Sequence, residues 1–338
     1  MYTSFKIKVY IIDFSLVLEL FRQPKVYYMV KCTLISGGNG FLGSHLADMF
    51  IDNGYEVTVV DDFSTSKRKN VSDEATLIKK KIEDYKTNKK YDFVMHLAAR
   101  PSPEDYISKP VSTISSNSLG TYKMLEIAKD SNAIFMYTSS SEVYGNASII
   151  PTNEDYFGNV NPNGIRSCYD ESKRFSEALI MAYHREYGLD VRIQRPFNVY
   201  GPRIREDGFY GRVIPRFIFQ ALNNKPITIH GSGKQTRSFL YISDWVEASW
   251  SLINIKRPNY RIINIGSNDE ITILELAQKI KILTKSRSYI KHIKPRKEDP
   301  KRRAADIRRA SEMLKWKPKV KLDEGLKNTI EWFKEVKK

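Results

Sequence analysis

Short apolar runs alternate with longer amphipathic stretches along the chain up to Tyr200. The apolar runs have the length and β-branched content of buried strands, and the stretches between them repeat apolar residues at helical spacing. The predicted strands are 31–36, 56–61, 92–98, 133–139 and 190–196. The predicted helices are 44–54, 121–132 and 172–188. This alternation predicts an α/β fold, a Rossmann-type doubly wound parallel sheet.

Beyond Tyr200 the pattern becomes irregular, with loops rich in Gly and Pro and with shorter helices. We therefore predict a smaller C-terminal α/β lobe over 201–338 and assign 29–200 to a dinucleotide-binding domain. The run 261–266 has the character of a strand that returns to the main sheet, so that 236–266 would rejoin the first domain. Residues 1–28 are expected to be an N-terminal extension outside this architecture, or to be read from an upstream start codon.

The composition bears on the kind of partner. The 338 residues carry a formal net charge of +16, and a hydrophobic fraction of 41% is enough for a substantial core. From Lys281 onward there are 20 Lys or Arg against 8 Asp or Glu, so +12 of the charge lies there, interleaved with apolar residues. Such a segment either forms a solvated helical surface or produces a positive electrostatic potential that attracts a polyanionic ligand. It lacks a basic stripe interleaved with aromatic residues, so we predict no nucleic-acid partner.

Cysteine content and hydropathy bear on the compartment. Cys32 and Cys168 fit neither a disulfide framework nor a four-ligand metal site, so we predict no metal and a reducing, cytoplasmic compartment. The apolar stretch 9–21 contains Asp13 and Glu19 and is shorter than the roughly 18–20 residues that span a bilayer. No small-residue cleavage site follows it, so we predict neither a membrane anchor nor a cleaved signal.

A glycine-rich loop, "SGGNGFLG" at 36–43, follows the first predicted strand and opens a helix. Gly37, Gly40 and Gly43 have the spacing that allows a tight turn and the close approach of backbone to a diphosphate. The helix that follows offers its N-terminus to the anion. The loop therefore predicts a dinucleotide site.

Asp61 ends the second predicted strand, where a carboxylate can accept hydrogen bonds from both ribose hydroxyls of NAD and repel a 2′-phosphate. Lys67 and Arg68 lie nearby and would favour NADP. Because Asp61 lies at the tip of the strand, we predict NAD.

Tyr169 and Lys173 have the spacing of a Tyr-x-x-x-Lys motif, which places both on one face of a helix. A phenol is a weak base at neutral pH, but an ammonium at ~4 Å in an effective dielectric of ~20 stabilises the phenolate by up to ~4 kcal/mol. We therefore predict that Lys173 and the positive charge of NAD⁺ lower the pKa of Tyr169 and make it a general base. Ser140, at the end of the preceding strand, adds a hydroxyl to the same region.

The order of these motifs resembles that of the extended short-chain dehydrogenase/reductase superfamily. From Met29 onward, the superfamily's order is followed by "GGNGFLG", "VDDFST", "HLAA", "TSSSEVYG", "YDESK", "FNVYGP", "GSGKQTRSFLYISD" and "NIGS". Three further stretches are similar to those of the UDP-glucuronate decarboxylases, also called UDP-xylose synthases: "SPEDYISKP", "FGNVNPNGIRSCYDESKR" and "EDPKRRAADI".

The resemblance implies an NAD-dependent decarboxylation of UDP-glucuronate to UDP-xylose. Tyr169 would take the proton of the sugar C4 hydroxyl while the C4 hydride passes to NAD⁺, and Ser140 would hydrogen-bond the C4 oxygen. The resulting 4-keto acid would lose CO₂ from C5, accept a proton there and be reduced again. The catalytic residues so implied are Ser140, Ser141, Glu142, Tyr169, Lys173 and Arg303.

The resemblance also implies two sets of binding residues. The cofactor set is Gly37, Gly40, Phe41, Leu42, Gly43, Asp61, Asp62, Ser64, Thr65, Ile82, Leu97, Ala98, Ala99, Tyr169 and Lys173. The substrate set is Pro103, Tyr106, Asn198, Arg203, Arg212, Arg237 and Arg303, of which Arg303 would meet the sugar carboxylate. The partners expected are a nucleotide sugar, UDP-glucuronate, and a second copy of the chain in a homodimer, with neither nucleic acid nor membrane.

The chain departs from the family pattern at several positions. Ser140 replaces a threonine and keeps the hydroxyl, Lys81 stands where an aspartate often contacts adenine, and Ser66 replaces a glycine. Ala304 and Ala305 replace Lys-Pro, and the loop 204–211 is slightly longer. The last two departures fall around the expected nucleotide-sugar pocket, so they bear on which sugar is bound.

Three alternative functions stay open from the sequence. A nucleotide-sugar 4,6-dehydratase would need an acid where Ser141 stands, and a 4-epimerase would usually lack an acid at the position of Glu142. A non-enzymatic NAD-bound regulator would not require Ser140, Tyr169 and Lys173 together.

Glu142 poses a separate question. In a decarboxylase we expect burial and the like charge of the substrate to raise the pKa of this carboxyl, so that it orients water or delivers the C5 proton. The alternative is a solvated or ion-paired surface glutamate.

Overall fold

The chain is described here by a computed structural model, which covers residues 30–66, 68–205, 212–296 and 300–337. Three features of the sequence lie outside the described residues: the predicted extension 1–28, Lys67, and most of the loop 204–211.

Strands and helices are numbered in chain order. The strands are β1 Cys32–Ser36, β2 Glu56–Asp61, β3 Thr76–Lys79, β4 Phe93–His96, β5 Ile134–Thr138, β6 Val191–Pro196, β7 Val199–Tyr200, β8 Ile227–His230, β9 Thr236–Ser238, β10 Leu240–Tyr241, β11 Ile262–Ile265, β12 Glu270–Thr272, β13 Ile290–Ile293 and β14 Arg302–Arg303. The helices are α1 Phe41–Asp52, α2 Pro103–Ser108, α3 Pro110–Ser131, α4 Ser167–Tyr187, α5 Val213–Leu222, α6 Ile242–Asn254, α7 Ile273–Leu283, α8 Arg308–Leu314 and α9 Leu322–Lys337. Short 3₁₀ turns occupy Ile82–Asp84 and Ser141–Tyr144.

Within the described residues, the main sheet consists of seven parallel strands in the order β11-β6-β5-β4-β1-β2-β3. The predicted doubly wound fold is confirmed. The order of strands reverses between β1 and β4, which pair side by side so that Ser36 lies opposite His96. Ligands of such sheets bind in the crevice outside the carboxyl ends of the strands at this reversal.

Alternate side chains of each strand point to opposite faces of the sheet, and both faces are covered. Ile35 and Met95 pack with α1, α6 and α8 on one face. Leu34 and Val94 pack with α3 and α4 on the other. Burial on both faces is the reason that the strands appear in the sequence as continuous apolar runs.

Helix α3 begins well before its predicted start at 121. Its first half packs against α4 through small hydrogen-bonding side chains, while its larger apolar residues, such as Val111 and Leu119, are exposed. Asn117 Nδ2 donates to Ser172 Oγ at 2.8 Å, and the hydroxyls of Thr121 and Ser176 lie 2.9 Å apart. Hydrophobic periodicity cannot detect such a contact.

The C-terminal part of the chain has a core of its own. Phe217, Leu276 and Ile330 bring α5, α7 and α9 together against β8, which pairs with β13. Strand β9 lies between β12 and β14, and β11 joins the main sheet beside β6. The assignment of 29–200 and 201–338 to separate binding roles stays a prediction. Among the described residues, no helix combines the length and the apolar character needed to cross a bilayer.

Candidate active site

The glycine-rich loop forms a tight cradle between β1 and α1. Gly37 has φ +68°, and a Cβ there would lie 2.7 Å from the backbone of Ala98. A Cβ on Gly43 would lie 2.3 Å from the carbonyl oxygen of Gly37. Among the described residues no side chain caps α1, and its first turn holds no acidic residue, so the positive end of the helix faces the cleft with Asp61 as the carboxylate beside it.

Asp61 lies at the end of β2, beside this cradle. Its carboxylate accepts hydrogen bonds from the backbone N–H groups of Asn39 at 3.0 Å and Phe63 at 2.8 Å. Burial raises its pKa, and these hydrogen bonds partly oppose that effect. An uncapped helix N-terminus, a close backbone approach and a buried carboxylate at the strand tip fit a dinucleotide with free ribose hydroxyls.

One cleft at the carboxyl edge of the sheet is lined by every residue predicted for catalysis, cofactor binding or substrate binding. The cofactor set lies at the carboxyl ends of β1, β2 and β4, at the start of α1, in the 3₁₀ turn at Ile82 and on α4. The substrate set lies on α2, between β6 and α5, and within β9 and β14. The structure thus brings the predicted residues together. Their individual roles stay predictions.

Tyr169 lies buried in the first turn of α4, and its ring stacks on that of Tyr106, with centroids 5.4 Å apart and planes 14° apart. Burial raises the pKa of Tyr169, while the charge of Arg212 and a hydrogen bond with Ser140 lower it. The sum of these effects is a raised pKa.

The prediction that Lys173 lowers the pKa of Tyr169 is therefore wrong for the protein by itself. Lys173 Nζ donates to the carbonyl oxygen of Thr138 at 2.8 Å and lies 5.9 Å from the centroid of the Tyr169 ring. Burial lowers the pKa of Lys173 to about 7, against the opposing charge of Glu177. The expected stabilisation assumed a fully charged ammonium, and with a pKa of about 7 Lys173 is only partly protonated at neutral pH.

Glu142 lies in the 3₁₀ turn that follows β5 and is held between two arginines. Arg303 Nη1 pairs with Oε1, and Arg303 Nη2 donates to Oε2 at 2.9 Å. Arg166 Nη2 also pairs with Oε2. Burial raises the pKa of Glu142, but the two guanidinium charges and their hydrogen bonds outweigh it and lower the pKa to about 2. In the protein without substrate, the pKa of Glu142 is therefore lowered, whereas the predicted rise requires the like charge of a bound substrate.

Arg166 and Asp170 were not among the predicted site residues. Arg166 Nε lies 3.6 Å from Asp170 Oδ2, and its guanidinium lies 6.0 Å from the centroid of the Tyr106 ring. Burial and the charge of Glu142 raise the pKa of Asp170 to about 7. Both residues occur within the quoted stretch "FGNVNPNGIRSCYDESKR", which was the available signal.

Three further side chains of the predicted substrate set form bonds with neighbouring residues of the protein. Arg203 pairs with Asp48 at 2.6 Å, Asn198 Nδ2 donates to the carbonyl oxygen of Ser238 at 2.8 Å, and Arg237 Nη1 donates to that of Thr236 at 2.8 Å. These bonds fix the side chains along the cleft.

The structure also shows the surroundings of three residues that depart from the family pattern. Ser66 Oγ accepts a hydrogen bond from Asn39 Nδ2 at 2.8 Å and so ties the loop after β2 to the glycine-rich loop. Ala304 and Ala305 are buried, and the Ala304 carbonyl accepts from Thr152 N at 3.0 Å.

Residues 33–266 match the model of the NAD dependent epimerase/dehydratase family. The chain belongs to this family. Among curated family members, it is 44% identical over 310 residues to UDP-glucuronic acid decarboxylase 1 of Danio rerio, covering 90% of this chain and 72% of that protein. It is 42% identical over 311 residues to UDP-glucuronic acid decarboxylase 6 of Arabidopsis thaliana, covering 90% and 89%.

Solved structures of the epimerase/dehydratase family have the same fold. The UDP-glucose 4-epimerase of Thermotoga maritima, solved with UDP-glucose, has a TM-score of 0.83 and 30% identity, covering 91% of this chain and 100% of that one. The UDP-glucuronic acid 4-epimerase of Bacillus cereus, solved with UDP-glucuronic acid and NAD, has a TM-score of 0.80 and 29% identity, covering 90% and 99%. The resemblance seen in the motifs is thereby confirmed, and the cofactor is NAD.

Proposed function

We propose that the protein is an NAD-dependent decarboxylase that converts UDP-glucuronate to UDP-xylose through a 4-keto intermediate. The observation that carries the proposal is the chain-wide identity of 41–44% to curated UDP-glucuronic acid decarboxylases, against 28–30% to the two 4-epimerase structures and to a further structure solved with UDP-glucuronic acid and NAD. The arrangement of charges in the cleft supports an acidic sugar as substrate.

The end of the cleft beside Tyr169 carries an excess of positive charge. Three guanidinium groups, those of Arg166, Arg237 and Arg303, act on one ionised carboxylate, Glu142. Such a site favours a substrate that brings a carboxylate of its own, because that carboxylate balances the excess in a partly dehydrated environment.

Oxidation at C4 is assigned to the pair formed by Tyr169 and Ser140. The glycine-rich loop and Asp61 would hold NAD, which would supply the acceptor of the C4 hydride and its later donor. The phenolate form of Tyr169 accepts the proton of the C4 hydroxyl in this proposal, and the hydrogen bond with Ser140 and the charge of Arg212 favour that form. Tyr106, stacked on Tyr169, keeps the phenol ring in one orientation.

The carboxylate of the substrate competes with Glu142 for Arg303. A substrate carboxylate paired with Arg303 removes one of the two charges that hold the pKa of Glu142 down, and it adds a like charge nearby. Both changes raise the pKa of Glu142, so Glu142 can hold the proton that C5 accepts after CO₂ leaves.

The experiment is to incubate the purified protein with UDP-glucuronate and NAD and to identify the products by NMR. UDP-xylose together with CO₂ is the expected result. Formation of UDP-galacturonate would identify a 4-epimerase, and no turnover in the presence of bound NAD would contradict the proposal.

We also propose that the protein is a homodimer whose subunits meet through α3 and α4. The two helices leave large apolar side chains exposed on a common surface: Val111 is 76% exposed, Leu119 59%, Tyr122 50% and Phe175 51%. A second copy of this surface would bury them. Leu119→Glu should shift the mass in sedimentation velocity from dimer to monomer, whereas Ile282→Glu, at an exposed position of α7, should leave it unchanged.

For its compartment we propose the cytoplasm, because Cys32 and Cys168, the two cysteines of the chain, form no disulfide. Microscopy of a fluorescent fusion in the source cells is the test, and a signal confined to an oxidising compartment would contradict it.

A further inference from the structure

A second cavity, of about 570 Å³, lies behind the active site and is lined in part by the same ionic cluster. We call it the rear cavity. Its floor consists of buried or largely buried groups, Glu142, Arg166, Asp170 and Arg303, and exposed residues at its rim include Asn146 and Lys301. Glu142, Arg166 and Arg303 also line the main cleft. These three side chains are therefore the wall between the cleft and a cavity that opens to solvent.

Asp170 lies on the floor of the rear cavity, does not line the main cleft, and is not used by the C4 chemistry. The residue is 5% exposed, and its Oδ1 has no hydrogen-bond partner among the described residues. Its Oδ2 lies 3.6 Å from Arg166 Nε. A buried carboxyl oxygen without a donor is costly when ionised, so the geometry favours a carboxylic acid that can give a proton to water.

The proposed reaction needs such a proton. The proton that Tyr169 takes from the C4 hydroxyl returns to the C4 oxygen when the ketone is reduced. Decarboxylation breaks the bond between C5 and the carboxylate, leaves the electron pair on the enolate, and releases CO₂. C5 then gains a proton, so each turnover consumes one proton from solvent.

We propose that this proton reaches Glu142 from the rear cavity, with Asp170 as the relay between solvent and Glu142. The proposal rests on the proposed function. Asp170 does not touch the substrate; it acts through Glu142, by way of water held in the rear cavity. A supply from behind allows C5 to be protonated while the nucleotide sugar and NAD fill the mouth of the cleft.

The electrostatic surroundings of Asp170 agree with this role. The groups that act on it are Glu142, Arg166 and Arg303, and Tyr106, Cys168 and Tyr169 lie close enough to respond to its charge. Lys301 and Arg302 add positive charge at the rim. Burial and Glu142 raise the pKa of Asp170 to about 7 against the two arginines, so the carboxyl exchanges protons near neutral pH.

The test compares Asp170→Asn and Asp170→Glu with the wild type, using circular dichroism and NAD binding to confirm folding. In Asp170→Asn we expect the rate of C4 oxidation to be unchanged, as measured by the appearance of reduced nicotinamide in a single turnover. UDP-xylose release should slow at least about tenfold. The fall of the wild-type release rate above pH ~7 should disappear in Asp170→Asn and persist in Asp170→Glu. Imidazolium added at fixed pH should restore release in Asp170→Asn, because the rear cavity can admit a small acid.

A second variant leaves the carboxyl in place and obstructs the route. Asn146→Trp at the rim should slow UDP-xylose release without slowing C4 oxidation, and Ile149→Trp, at a neighbouring exposed position that does not line the rear cavity, should change neither rate. If Asp170→Asn slows both steps equally, or slows neither, the relay is refuted although the wild type still makes UDP-xylose. A wild type that releases no CO₂ would instead refute the proposed function, and the relay with it.

Discussion

Glu142 and Arg303 form a two-armed ion pair across 161 residues of chain, at the edge of a cleft that also holds Tyr169. The pair fixes the end of β14 against the turn that follows β5. Because Arg166 holds the same carboxylate from the other side, the charge of Glu142 is over-compensated. The site is thus arranged to accept one further carboxylate.

Replacement of Arg303 tests this arrangement. Arg303→Ala should lower kcat/KM for UDP-glucuronate at least about thirtyfold, since it removes one partner of a buried charge pair. Arg302→Ala is the matched control, because Arg302 is the preceding residue of β14 and forms an exposed pair with Glu270 worth less than about 1 kcal/mol. Steady-state kinetics of both variants decide the matter, and equal losses would mean that Arg303 is no more than part of a charged surface.

Glu142→Gln keeps the size of the side chain and removes its titrating proton. We expect the variant to oxidise C4, so that reduced nicotinamide appears, and to release UDP-xylose at least ~10-fold more slowly, a barrier increase of ~1.4 kcal/mol. Rapid mixing with NMR of the quenched products measures the two steps separately. Undiminished CO₂ release would show that Glu142 only holds its two arginines in place.

Tyr169→Phe should lower the rate of C4 oxidation to about a hundredth of the wild-type rate or less, because the general base is lost. The ring should still stack on Tyr106. NAD binding and the unfolding transition should be unchanged. Tyr187→Phe, at the exposed end of the same helix, is the control. Appearance of reduced nicotinamide at the wild-type rate in Tyr169→Phe would exclude Tyr169 as the base.

Asp61→Ala should weaken NAD binding about 10- to 100-fold, as expected for the loss of hydrogen bonds to a charged group. The change should also reduce the preference for NAD over NADP, since the carboxylate no longer repels a 2′-phosphate. Isothermal titration with both dinucleotides measures this preference. Asp73→Ala, at a carboxylate that is 97% exposed, should bind as the wild type does. NADP binding more tightly than NAD in the wild type would contradict the assignment.

The pH dependence of stability should carry the signature of Asp170. Its pKa in the folded protein is raised from 3.8 to about 7, so its contribution to stability is complete below pH ~4 and is lost as the pH rises through ~7. Relative to Asp170→Asn, the wild type should therefore lose free energy of unfolding between pH 5 and pH 8. Urea denaturation at these two pH values tests the sign, and a difference that stays constant would mean that Asp170 is not perturbed.

The sequence by itself determined those elements that leave a pattern in neighbouring residues, namely the buried strands and the glycine-rich loop. The buried strands have apolar runs because each is covered on both faces, and the glycine-rich loop is recognisable because its backbone approaches Ala98 too closely for a side chain. β3 was missed because it is a short edge strand whose residues are exposed or half-buried. The first half of α3 was missed because its contacts with α4 are hydrogen bonds between small side chains.

Only the tertiary structure decided the charge state of the site. Burial alone predicts a raised pKa for Glu142, but the neighbouring arginines lower it. An ammonium beside Tyr169 predicts a lowered pKa for the phenol, but burial raises it. Arg303 and Arg166 reach Glu142 from distant parts of the chain, and Lys173 is turned toward the carbonyl of Thr138. A pKa depends on the sum of desolvation and of charges a few ångströms away, and chain folding, not sequence spacing, sets those distances.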